Sequence, residues 1–104
     1  MAATNDRQPM SVALRLLIEH AEALPEGDVE RDVRASAHAL AAACMCRDAV
    51  KPAVDRFAGS LAQLHAHLSA GTRRRHRHDE PAVQRLAATL RDELLPLLQH
   101  DHLL

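Results

Sequence analysis

Between Val54 and Leu68 the large apolar residues fall at Val54, Phe57, Leu61, Leu64 and Leu68, in alternating steps of three and four. A helix turns about 100° per residue, so this spacing lines one face of a helix, whereas a strand would scatter it over both sides. Such a stripe needs other helices to cover it. Three more segments have the same periodicity. Leu14, Leu17, Ile18, Ala21 and Leu24 repeat opposite Arg15, Glu19 and Glu22. Val33, Ala37, Leu40 and Cys44 form a second stripe of mostly small residues, and Val83, Leu86, Ala87, Leu90, Leu94 and Leu97 form the last. Twenty alanines and sixteen leucines against three glycines favour helix over strand, and Phe57 is the sole aromatic. The predicted fold is all-α, an antiparallel up-down four-helix bundle with a core of leucine, alanine and valine. At 104 residues the chain has material for one such core.

Prolines and capping residues divide the chain. Pro9 suits a helix first turn, and residues 1–8 read as a flexible N-terminus ahead of a single domain over 9–99. Pro25 stops the first helix, Pro25-Glu26-Gly27-Asp28 forms the turn, and Asp28 is the expected N-cap of the second. That helix should end near Arg47 or Asp48. Pro52 then marks the next start, capped by Asp48 or Lys51, unless the helix continues through a kink. Gly71 is placed to end the third helix. Residues 72–81 read as a charged loop leading to Asp79 and Pro81, which open the fourth helix. Pro96 should kink or end that helix, because its ring displaces the bond to the Asp92 carbonyl. Residues 100–104 read as a loose tail.

A formal net charge of −1 argues against a nucleic-acid binder, and the arginine run Arg73, Arg74, Arg75 and Arg77 lacks interleaved aromatics for base stacking. No apolar run approaches the ~20 residues of a membrane span, and the first ten residues have no export-signal pattern. The expected location is the cytoplasm, with Cys44 and Cys46 reduced. No phosphate loop, nucleophile elbow or paired-carboxylate cleft is present. The pairs Cys44/Cys46 and His65/His67 are two residues apart, so on a helix they diverge and cannot chelate together. His76/His78 and His100/His102 can chelate only if extended. No metal site and no cofactor is assigned to this chain.

The candidate chemistry lies in the second helix. Its first half is charged, with Glu30, Arg31, Asp32 and Arg34. Ala39–Cys46 carries no charge, and His38 stands at the join. His38 lies roughly 140° from the stripe of its own helix and should point outward. Arg31 and Arg34 precede it on nearly the same face; Ala41, Ala42 and Met45 follow. An exposed imidazole is partly neutral near pH 7 and its ring nitrogen can act as a nucleophile, while the arginines would offset phosphate charge.

This stretch resembles the histidine phosphotransfer domain of two-component signalling. Ala37, His38 and Leu40 match its Ala-His-x-Leu motif, and Ala43 and Cys44 match the small positions after it. Gly27-Asp28 and Arg34 are also similar to the family, and the helix order agrees from about residue 10 to 99. Ala41 stands where the family usually has lysine, and Ala42 where it usually has glycine. The resemblance implies a four-helix bundle whose catalytic His38 relays a phosphoryl group, with a response-regulator receiver domain as partner and the receiver supplying Mg²⁺. The rival reading is a non-catalytic adaptor or regulatory bundle, monomeric or homodimeric, that binds a protein through an apolar helix face.

Overall fold

The structure is a computed structural model and describes residues 8–71 and 79–104. Within them every regular element is helical: α1 (Gln8–Glu22), α2 (Asp28–Cys46), α3 (Val50–Gly71), and a fourth rod built from α4 (Asp79–Ala88), a π-helical stretch (Thr89–Leu94) and α5 (Leu95–His100). None of these helices is long and apolar enough to cross a membrane. The basic run and the His76/His78 pair lie outside the described residues.

Each helix is amphipathic and buries its stripe against two others. α2 packs most extensively on α3 and also borders α1; α1 meets the fourth rod on its other side, and α3 meets α4. The rods thus form a ring in chain order around one core. That core contains the whole α3 stripe, the α2 stripe of Val33, Ala37, Leu40 and Cys44, and Leu14, Leu17, Ala21 and Leu24 of the first segment, with Ile18 half-buried at its edge. Phe57 sits in the middle, fully buried.

The start of α2 differs from expectation. Gly27, not Asp28, is the N-cap, with an extended backbone and no side-chain cap bond. Its carbonyl accepts the first helical bond, from Arg31 N–H at 2.9 Å. Glu30 folds back over this glycine and is buried, its carboxylate filling the space that a Cβ at position 27 would need. A carboxylate in the first turn also complements the helix dipole.

α2 ends without glycine or proline. Arg47 adopts the left-handed conformation, at φ 55°. Arg47 N–H bonds to the Cys44 carbonyl and Asp48 N–H to the Ala43 carbonyl, the paired closure of a Schellman motif. Ala49 is left-handed too, also at φ 55°. Its carbonyl accepts from Ala53 N–H, so only three residues separate α2 from α3. Pro52 falls in the first turn of α3, where its missing N–H costs nothing.

The fourth rod departs in the opposite sense. It does not stop at Pro96. The segment ahead of the proline widens into a π-helix, Leu95 N–H bonding back to the Leu90 carbonyl, and the chain continues helically to His100. The wider turn accommodates the ring and moves the buried face by one residue. Leu98 is fully buried, whereas the expected Leu97 is only half-buried. At the C-terminus, expected to be a loose tail, the chain turns back through a second Schellman closure. His102 N–H bonds to the Gln99 carbonyl and Leu103 N–H to the Leu98 carbonyl, with His102 left-handed and Leu103 packed against the core.

Candidate functional site

His38 lies in the middle of α2, and its side chain is 53% exposed. Ala42, one turn on, and Met45 are exposed; Ala41 is half-buried and packs against the core. The surface beside the imidazole is therefore low, because the neighbouring side chains on α2 are methyl groups.

The electrostatics differ from those expected for two flanking arginines. Arg34 is half-buried and turned toward the α1–α2 corner, where its Nη1 donates to the Leu24 carbonyl at 3.0 Å and the Pro25 carbonyl at 3.2 Å. Arg31 sits in solvent, 3.7 Å from the Asp28 carboxylate. The charged group in contact with His38 is an anion: Glu22, from the last turn of α1, places Oε2 2.6 Å from Nε2. Sixteen residues separate the two, and nothing in the α2 pattern points to this partner. In the tautomer that carries its proton on Nε2, that N–H donates to Glu22 and Nδ1 carries the lone pair.

A concave feature lies where α1 begins and α2 ends. It encloses about 290 Å³. Leu14 and Cys44, both buried, form its floor, and the half-buried Met10 forms a wall. Burial pushes the Cys44 thiol up to about 11, so it stays protonated at neutral pH. Arg47 and Asp101 stand at the mouth with their charged atoms 4.0 Å apart. Met45 lies beside them and is 78% exposed. No motif or periodicity points to this cavity, because its lining comes from three helix ends far apart in the chain.

Cys46 is exposed, and neither cysteine is in a disulfide. Among the described residues no group of three histidine, cysteine or acidic side chains converges as metal ligands would. No known protein family, curated protein or solved structure matches the chain.

Proposed function

We propose that the four rods alternate in direction and that the His38 face docks a response-regulator receiver domain, with His38 carrying a phosphoryl group between aspartates. The alternation is supported by the cavity, where the start of α1, the end of α2 and the turn after α5 meet. The three-residue link from α2 to α3 supports it as well, since short links of this kind join antiparallel helices. The function rests on one observation: a half-exposed imidazole at mid-helix, its Nε2 2.6 Å from the Glu22 carboxylate, beside a surface of alanines.

In this reading the neutral ring keeps its Nε2–H on Glu22, and the Nδ1 lone pair attacks the phosphorus of an aspartyl phosphate. The N–P bond forms as the bond to the aspartyl oxygen breaks, and that electron pair returns to the carboxylate. The ring becomes cationic, and Glu22 stabilises it. Transfer to a second aspartate reverses these changes. Ala41 and Ala42 stand where the motif it resembles has lysine and glycine, so these two positions bring no cation to the phosphoryl group.

The test is incubation with a radiolabelled aspartyl-phosphorylated receiver. Acid-labile label is expected on the wild type and none on His38→Gln. Equal labelling of both proteins removes His38 from the account. The adaptor reading draws support from Met45, apolar and 78% exposed on the same helix. It predicts a receiver or other protein partner bound with the same affinity by His38→Gln and weakened by Met45→Asp.

A further inference from the structure

We infer that the cavity at the α1-start and α2-end binds a small zwitterion with an apolar side chain, an α-amino acid of leucine or methionine size. The volume of about 290 Å³ is at the small end for ligand sites. At the roughly 30 Å³ that a water occupies in the liquid it admits about ten non-hydrogen atoms. The floor of Leu14 and Cys44 and the wall of Met10 are neutral and carbon- or sulfur-faced, and Ser11 adds one neutral hydroxyl to the lining. Thioethers are flexible and shape themselves to branched or straight aliphatic chains.

The mouth decides the polar half of the ligand. The guanidinium of Arg47 and the carboxylate of Asp101 are 4.0 Å apart, beyond hydrogen-bond distance, and both are partly solvated, with side-chain exposures of 61% and 37%. Their opposed charges therefore remain open to a better partner. A plain carboxylate would meet Arg47 but be repelled by Asp101, and a plain amine would meet the reverse. An α-amino acid offers a carboxylate to the first and an ammonium to the second, and sends its side chain toward Leu14. Arg47 sits in the left-handed position closing α2, and Asp101 lies next to the left-handed His102 after α5. A bound zwitterion would tie these two helix ends together.

The experiment is isothermal titration and saturation-transfer NMR of the full chain with L-leucine and L-methionine. Isocaproate, isoamylamine and glycine serve as probes lacking one recognition element each. Saturable binding of the two amino acids is expected, with isocaproate and isoamylamine each weaker by about tenfold, the loss of one charge-assisted contact, and glycine weaker by at least as much through loss of the apolar side chain. Asp101→Asn and Arg47→Gly should each weaken leucine by a similar factor. Arg47→Gly suits the left-handed backbone, so a folded variant is assured for the measurement. His38→Gln should bind as the wild type does, which separates this site from the relay reading. Absence of saturable leucine binding by the folded wild type, isocaproate binding as tightly as leucine, or leucine binding unchanged by both charge variants would each overturn the inference.

Discussion

The two breaks in helical regularity, at Arg47–Ala49 and at Thr89–Pro96, are opposites. At the first, residues that favour helix end one. Arginine and alanine take left-handed conformations that glycine adopts at no steric cost, each at a penalty of roughly 1–2 kcal/mol. At the second, a residue that breaks helices is carried through one. The difference lies in what the core requires on each side. Cys44 and Val50 are both buried and only six residues apart, and three residues outside either helix place both in the core. Leu86, Leu90, Leu94 and Leu98 are buried at steps of four. On a regular α-helix that spacing drifts by about 40° per step, and the wider π turn removes the drift. In both places burial of the flanking apolar residues outweighs local preference.

The sharpest probe of this contrast is the register after Pro96. Leu98→Ala should cost about 2–5 kcal/mol in urea unfolding, as for a fully enclosed leucine, while Leu97→Ala should cost about 1 kcal/mol. Reversed costs would mean the rod keeps α-helical register through the proline. At the end of α2, Cys44 gives a pH-dependent signature. Its thiol is raised from an ordinary 9.0 to about 11 by burial. Between those values the unfolded chain has released a proton that the folded chain retains, so stability falls as pH rises from 9 to 11. Thermal melts across that window should show a steeper fall for wild type than for Cys44→Ala, and parallel curves would show the thiol to be solvated. The smallest effect concerns the turn itself. Arg47→Gly and Ala49→Gly should each raise stability by about 0.5–1 kcal/mol, relief of the left-handed backbone being partly offset by a looser unfolded chain. Loss of the exposed Arg47–Asp101 pair subtracts little. If both variants are destabilised, the backbone at 47–49 is not left-handed in solution.

Periodicity made most of the architecture legible. Every residue of the α3 stripe is buried, as are all four of the α2 stripe, because three-four spacing is a direct record of which face meets the core. Boundaries were less legible. The one-residue error at Gly27 arose because Asp28 is the better side-chain cap, whereas the helix starts at Gly27 without a side-chain cap and Glu30 packs over the glycine. The Leu97 assignment failed because a fixed 100° rotation was carried across Pro96. The exposure of His38 followed from helical geometry. Its surroundings did not, since Glu22 comes from another helix and Arg34 is drawn aside by carbonyls of a corner whose path only the tertiary fold defines.

Arg34 has one more consequence. Its guanidinium works as a clasp, fastening the peptide at Leu24 and Pro25 to the rod that carries His38. A visiting protein that recruited this cation would have to unfasten the corner first, and the two freed carbonyls would turn to water. Engagement at the histidine and loosening of the α1–α2 corner would then be a single event, visible as faster amide exchange near Gly27 whenever a partner takes hold of Arg34.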